Sequence, residues 1–238
     1  MKIRSQSIST GLWREQLNLV SSWMDSSHVY GSSKCQADQL RKNQSGQLKS
    51  LSHPLGSSFK SLLPRHGANL ECRSPSKLCF KAGDARVNEQ PGLTSLHTLL
   101  VREHNRIALQ LEYLNLNWND EKIFQETRKM IIAINQHITY NEYLPRILGQ
   151  PLMNLYKLSD DYQYDNSCDP GILNEFATAA FRFGHSLIPN GFKIFNPTLA
   201  KLTGLNMTEN QRNDSMLYLR GHFLNPDITI SPLFVDEI

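Results

Sequence analysis

The stretch LTSLHTLLVREHNRIALQLEYL, from Leu93 to Leu114, carries the clearest helical pattern in this chain of 238 residues. Pro91-Gly92 stands just before it, and Thr94 is of a residue type that commonly caps helix N-termini. Apolar residues recur every three or four positions, as on one face of an α-helix: Leu96, Leu99, Leu100, Ile107, Ala108 and Leu111. The spacing therefore predicts an amphipathic helix over residues 94–114, capped by Thr94.

Two downstream segments repeat this helical spacing. One covers residues 123–148, and the other covers residues 172–183 and leads into Gly184-His185. Turn residues separate these segments, residues 189–238 look loop-like, and strand-like alternation is scarce. A shorter helical pattern lies upstream, around Trp13, Leu17, Val20 and Met24. The predicted fold class is mainly α, with long loops.

Composition excludes several classes of protein. The chain is 39% hydrophobic and 20% charged, as ordinary globular proteins are. Because no apolar run approaches the roughly 20 residues of a membrane-spanning helix, we predict no membrane span. The net charge is only +3 and the basic residues are scattered, so the sequence does not support nucleic-acid binding. The sequence does not indicate an oligomeric state. Residues 1–10 lack the apolar stretch of a signal peptide, so either the protein is cytosolic or its true beginning is missing.

Cysteines and glycosylation sequons favour a secretory origin. Cys72 and Cys79 enclose six residues, a spacing that fits a small disulfide loop better than a zinc site, with two free thiols as the alternative. Sequons of the Asn-x-Ser/Thr type begin at Asn43, Asn206 and Asn213.

Two patterns could bind a metal, and each has a structural alternative. His185 follows an apolar helix, where a neutral imidazole could ligate haem iron, but an ordinary core histidine is the more frequent case. A second set alternates in an extended stretch and could direct oxygens towards one hard cation, although helix capping around Asp25 explains it as well. This set consists of Ser21, Trp23, Asp25 and Ser27.

Arg86 and Glu89 stand three apart in a turn-rich stretch before the strong helix. If buried, they would be costly unless they served a bound group, and an exposed ion pair is the ordinary alternative. Other motifs fail: the segment 102–106 has one histidine where a zinc HExxH helix needs two, and Ile188 replaces the last glycine of a GxSxG nucleophile turn. Spacing alone identifies no enzyme.

Five segments follow one another in an order that spacing does not explain. They are SSWMDSSHVYG (21–31), GDAR with NEQ (83–90), LTSLHTLL with REHNRIA (93–108), ITY with YLP (138–145) and FATAAFRFGHSLI (176–188). In this order they resemble the animal haem peroxidases, the family of myeloperoxidase, lactoperoxidase, thyroid peroxidase and peroxidasin, with wording closest to peroxidasin-like members. The resemblance implies a partial, helical peroxidase domain over residues 13–238, with residues 1–12 unmatched.

The resemblance also implies roles for single residues. His185 matches the proximal histidine that binds the haem iron, and Arg86 matches the distal arginine that polarises peroxide during catalysis. Glu89 matches a carboxylate that in many members forms an ester with a methyl of haem b. Gln90 stands where myeloperoxidase has a methionine with a further haem link, so that link is expected to be absent.

A calcium loop, a disulfide loop and secretion are implied as well. The disulfide is between Cys72 and Cys79, just before the arginine segment. The calcium ligands are Ser21, Trp23, Asp25 and Ser27.

The sequence departs from the family in one respect that bears on activity. The family's distal histidine, its general base, lies upstream of the calcium loop, and residues 1–16 contain no similar segment. Losing such a base costs about 10²–10⁴-fold in rate. We therefore expect a domain that, when complete, reduces hydrogen peroxide and oxidises a halide or small organic donor, and a chain that alone is weak or inactive. The alternative is a non-catalytic peroxidase-like fragment that retains haem or contacts another protein.

Overall fold

The structure is a computed structural model, and it describes residues 18–53, 60–66, 72, 79–158, 164–188, 191–193 and 216–218. This part of the chain is mostly helical, which confirms the predicted fold class. Two short antiparallel pairs, β1 with β2 and β3 with β4, accompany the helices. The strands are β1 (Arg65–His66), β2 (Cys79–Phe80), β3 (Gly191–Lys193) and β4 (Met216–Tyr218). The α-helices are α1 (Ser27–Tyr30), α2 (Lys34–Leu40), α3 (Pro91–Leu114), α4 (Asp120–His137), α5 (Leu144–Leu148), α6 (Gln150–Leu155) and α7 (Asn174–Thr178).

The strong helical pattern forms α3, as predicted, but its N-cap is different. Gln90, not Thr94, caps the helix, because the Gln90 side chain accepts a hydrogen bond from Gly92 N at 2.7 Å. Pro91 occupies the first helical turn, where its missing N–H costs nothing. Thr94 is buried one turn inside and donates its hydroxyl proton to Val87 O.

The second predicted helix is confirmed and begins earlier than its apolar pattern. Asn119 accepts a hydrogen bond from Lys122 N at 2.9 Å, so it caps the first turn of α4. A π-helical turn, Ile138–Tyr143, joins α4 to α5. The helical run ends at Gly149, whose φ of 75° suits glycine.

The upstream helix prediction is wrong for residues 18–24, while Trp13 and Leu17 lie outside the described residues. Short polar side chains here bond the backbone two residues ahead, and these turns compete with helical hydrogen bonds. Three such bonds are Asn18 Oδ1 to Val20 N, Ser21 Oγ to Trp23 N and Asp25 Oδ1 to Ser27 N.

The third predicted helix is split. It forms α7, leaves α-helical geometry at Ala179, and continues as a 3₁₀ helix over Ala180–Leu187. Residues 189–238 were predicted to be loop-like, and this is wrong for β3 and β4, which pair with each other.

The chain divides into two compact units, residues 1–27 with 128–186 and residues 28–127 with 187–238. In the first unit, Ile131 and Met153 are buried. In the second, the largest buried side chains include Tyr30, Phe80 and Ile123. No described helix has both the length and the apolarity to cross a membrane.

Candidate functional site

Arg86 lies on a 3₁₀ turn, Ala85–Asn88, that leads into α3. Asp84 caps this turn, since its Oδ1 accepts a hydrogen bond from Arg86 N at 2.8 Å. The same carboxylate accepts hydrogen bonds from Arg86 Nε at 2.9 Å and Nη2 at 2.6 Å. The arginine side chain remains 41% exposed. The two-pronged contact thus orients the guanidinium while part of it faces solvent.

The turn that carries Arg86 is anchored to its surroundings. Buried Asn88 accepts a hydrogen bond from Phe80 N at 2.9 Å and donates one to Phe80 O at 2.8 Å. Thr94 on α3 donates to Val87 O at 2.5 Å. Because strand β2 and helix α3 both hold the turn, Arg86 sits on a fixed backbone.

Glu89 and Gln90 follow Arg86 and have different environments. Glu89 is exposed, and its backbone N–H donates to Arg86 O at 2.8 Å. Its carboxylate is therefore accessible to a bound group. Gln90 is already engaged as the cap of α3.

His185 lies in the 3₁₀ helix Ala180–Leu187, in the other compact unit. The side chain is exposed, and its Nδ1 is 2.8 Å from the carbonyl oxygen of Arg182. A carbonyl can only accept, so Nδ1 carries a proton, and in the neutral imidazole Nε2 then keeps its lone pair. This is the tautomer in which imidazole binds a metal through Nε2.

Exposed apolar side chains flank His185 in the sequence. Phe176 and Phe181 contact each other with ring centroids 5.8 Å apart. The exposed apolar side chains here are Phe176, Phe181, Phe183, Leu187 and Ile188. A metal-competent imidazole among exposed aromatic side chains fits a flat, apolar, iron-bearing group such as haem. Arg86 and Glu89 share one unit, and His185 lies in the other.

The four predicted calcium ligands lie together in sequence, three before α1 and Ser27 at its first position. Ser21 and Asp25 accept backbone hydrogen bonds from Trp23 and Ser27, at 3.2 Å and 3.0 Å. Such bonds to backbone N–H groups are those expected if these side chains cap a helix. The hydroxyl and carboxylate oxygens can still accept further bonds, so they could also bind a cation. Among the described residues, no three His, Cys, Asp or Glu side chains gather in a way that could hold a metal ion. Calcium stays a prediction.

A disulfide joins Cys72 to Cys79, with their Cα atoms 6.0 Å apart. Cys79 opens strand β2, directly before Phe80, so this link lies next to the anchor of the arginine turn. Cys35 and Cys168 are exposed free thiols.

A buried histidine, His104, matters to the fold, and sequence reasoning missed it. His104 Nδ1 accepts a hydrogen bond from the Tyr30 hydroxyl at 2.8 Å, and Nε2 donates to Gly46 O at 2.9 Å. Burial lowers the pKa of His104 from 6.5 to about 4. We call Tyr30, Gly46 and His104 the His104 clamp. Tyr30 and Gly46 lie 74 and 58 residues from His104 in sequence, so no local pattern could reveal the clamp.

Two neighbours of His104 on α3 also hold the backbone of the preceding part of the chain. Asn105 holds the backbone of Leu48 at both its N–H and its carbonyl, at 2.8 Å and 3.1 Å. Arg102 donates to the carbonyl of Ser61 at 2.7 Å. The segment 102–106 therefore fastens the preceding loop to α3 and has no metal-binding geometry.

Comparison with known proteins identifies a family. The sequence pattern named "Animal haem peroxidase" matches residues 2–236. The peroxidasin homolog of Caenorhabditis briggsae is 41% identical over 95% of this chain, and the human peroxidasin homolog is 45% identical over 79%. Mouse myeloperoxidase is 45% identical over 77% of the chain. The chain spans only 17%, 12% and 26% of the lengths of these three proteins.

Solved structures agree with the sequence matches. Peroxidase A from Dictyostelium discoideum has a TM-score of 0.70 and 32% identity, covering 90% of this chain and 38% of that one. A fatty acid alpha-dioxygenase from Oryza sativa has a TM-score of 0.63 at 19% identity, covering 98% of this chain and 40% of that one, which shows a shared fold alone.

Proposed function

We propose that this chain, which belongs to the animal haem peroxidase family, is part of a haem peroxidase that reduces hydrogen peroxide and oxidises a halide or small organic donor. One observation carries the proposal. His185 is exposed, with Nδ1 committed to the Arg182 carbonyl and Nε2 available as a ligand. Haem b, when bound, supplies the redox-active iron that the reduction of peroxide requires.

His185 would bind the haem iron in this proposal. The Nδ1 hydrogen bond to Arg182 O fixes the imidazole orientation and makes Nε2 more electron-rich. The exposed phenylalanine side chains near it in sequence would give a bound haem apolar contacts.

Arg86 would supply a fixed positive charge to the peroxide. Negative charge develops on the departing oxygen as the O–O bond breaks, and an oriented guanidinium stabilises it. Asp84 holds Nε and Nη2 of Arg86, so the guanidinium is positioned before peroxide arrives.

The remaining assignments also belong to the proposal. Glu89 is exposed, so its carboxylate is free to form an ester with haem b. Calcium is bound by the oxygens of Ser21, Trp23, Asp25 and Ser27. The protein is secreted, which agrees with the Cys72–Cys79 disulfide.

The isolated chain is proposed to turn over weakly. The resemblance matches no residue of this chain to the distal base. His104 cannot replace that base, because both its nitrogens form hydrogen bonds within the fold. A non-catalytic fragment that retains haem is the second candidate, and the exposed His185 supports both.

A haemin titration of the purified chain tests the ligand assignment. We expect a shift of the Soret band that is lost in His185→Ala, because the iron then has no imidazole. His137→Ala is the matched control, since His137 is also exposed and ends α4 in the same unit. Equal spectra for the chain and for His185→Ala would remove His185 from the site.

Donor oxidation by the haemin-loaded chain tests Arg86. We expect low turnover that falls further in Arg86→Ala and stays unchanged in Arg106→Ala, since Arg106 is an exposed arginine paired with Glu103. Haem binding without turnover supports the second candidate. Fast turnover that survives Arg86→Ala contradicts the proposed role of the arginine.

A further inference from the structure

The sequon Asn43-Gln44-Ser45 lies on an exposed turn after α2. Asn43 has a φ of 57°, in the left-handed region that asparagine tolerates better than most residues. Asn43 and Gln44 are exposed, whereas Gly46 is buried. The turn thus has an outer side, which carries the asparagine, and an inner side.

The inner side of the turn is fastened to the core of its unit. Gly46 N donates to Asp120 Oδ1 at 2.7 Å, and Gly46 O accepts from His104 Nε2 at 2.9 Å. Lys42 N donates to Gln47 O at 2.9 Å and closes the turn. The Gly46 contacts use the inner side and the Lys42–Gln47 bond joins the ends of the turn, and none of them involves the side chain of Asn43.

The side-chain amide of Asn43 differs from those of two other asparagines in the same unit. Asn88 and Asn105 each hold a backbone N–H and a backbone carbonyl, and Asn88 is buried. Asn43 is exposed, and its amide forms no hydrogen bond with another described residue. Its nitrogen can therefore be substituted without removing a structural contact.

We propose that Asn43 carries an N-linked glycan. The donor is an oligosaccharide joined through its anomeric carbon to a lipid diphosphate, acted on by a transferase of the secretory lumen. Asn43 Nδ2 forms a new bond to that carbon, the carbon–oxygen bond to the diphosphate breaks, and the lipid diphosphate leaves. The amide nitrogen gives up one proton to a base of the transferase. The proposal rests on the secretory part of the proposed function and is independent of haem.

Translation of the full chain behind a cleavable secretory leader, in the presence of microsomal membranes, tests the site. In the test chain, Asn206→Gln and Asn213→Gln remove the two other sequons, so any glycan reports on Asn43. The protease-protected chain is analysed by mass spectrometry before and after peptide N-glycosidase treatment. Intact protein is treated before trypsin, because cleavage after Lys42 would leave Asn43 at a peptide terminus.

We expect the protected chain to carry one glycan, which is lost in Asn43→Gln and in Ser45→Ala and retained in Ser45→Thr. Ser45→Thr is the conservative control, because it keeps the sequon and the hydroxyl. An unmodified Asn43 in the protected chain would overturn the proposal. We also expect the enzyme to release the glycan from the folded chain, and release only after denaturation would show that the turn does not present Asn43 on its outer side. Haemin binding plays no part in either readout, so failure of the peroxidase proposal leaves this test intact.

Discussion

His104 and His185 lie in two regions that hold the same side chain in opposite ways. His104 is fully buried, with one nitrogen accepting from Tyr30 and the other donating to Gly46. His185 is exposed, with one nitrogen donating to Arg182 and the other available. A histidine with both nitrogens bonded to the fold stabilises it, whereas a histidine oriented by one bond can bind a metal. Substitutions at the His104 clamp should therefore lower the unfolding free energy, whereas substitution of His185 should remove haem binding and leave the unfolding free energy almost unchanged.

The largest expected loss of stability comes from Gly46→Ala in the His104 clamp. Gly46 has a φ of 63°, and an added Cβ would lie 2.5 Å from Ile123 Cγ2 and 2.7 Å from Phe124 N. The left-handed backbone and the overpacking together should cost about 4 kcal/mol of unfolding free energy. Urea unfolding followed by circular dichroism measures it.

Gly184→Ala is the control for that experiment, because an added Cβ would meet no atom within 4 Å among the described residues beyond its chain neighbours and its own helix backbone. It lies beside His185 and should change the unfolding free energy by less than about 0.5 kcal/mol. Equal effects of the two substitutions would mean that the Gly46 turn is not packed against α4.

Acidification should weaken the His104 clamp next. The pKa of His104 is about 4 when folded and 6.5 in the reference state, so the unfolded chain binds the proton first. The stabilisation from neutral His104 is therefore complete above pH 6.5 and is lost as the pH falls towards 4. It amounts to about 3 kcal/mol. Measuring the unfolding free energy against pH for the unmodified chain and for His104→Gln isolates the contribution of His104.

Nuclear magnetic resonance of the imidazole nitrogens gives a direct check. His104 should keep its proton on Nε2 and remain neutral through mildly acidic pH, with the guanidinium of Arg41 also disfavouring a second proton. A midpoint near the reference value of 6.5 would contradict the buried geometry.

The sequence predicted the helices that a local apolar pattern defines. It missed the contacts between residues that are far apart in the chain. The spacing of apolar residues was enough for α3 and for the helical run from α4 to α5. It misplaced the cap of α3, because Gln90 and Pro91 begin the helix before the apolar pattern does. It failed at residues 18–24, where side-chain turns replace helical bonds. The His104 clamp depends on partners far away in sequence, so no local pattern contains it.

For the candidate site, family resemblance contributed what spacing could not. Arg86 and His185 have no distinctive spacing, and their proposed roles come from matching segments. The structure adds the local reasons why they suit those roles, namely the carboxylate of Asp84 and the carbonyl of Arg182. Neither contact has a signature that periodicity detects.

Tyr30→Phe should have an intermediate effect. The substitution keeps the ring, which packs edge-on against Phe124, and removes only the hydroxyl that donates to His104 Nδ1. Leaving that buried nitrogen without a donor should cost about 2 kcal/mol of unfolding free energy. Tyr113→Phe is the control, since Tyr113 is 80% exposed and should show no measurable loss. Indistinguishable variants would show that the hydroxyl contributes nothing to the clamp.

His185→Ala should have the smallest effect on stability, although it removes the proposed iron ligand. The side chain is exposed and forms one hydrogen bond within its own helical turn, so the unfolding free energy should change by less than about 0.5 kcal/mol. Urea unfolding of this variant beside His104→Ala measures the contrast directly. A loss above about 1 kcal/mol would place His185 among the packed histidines of the fold. An unchanged stability, together with the loss of the haemin spectrum, would show that this side chain serves a ligand and not the fold, because the same truncation would then remove iron ligation while leaving the packing of the chain intact.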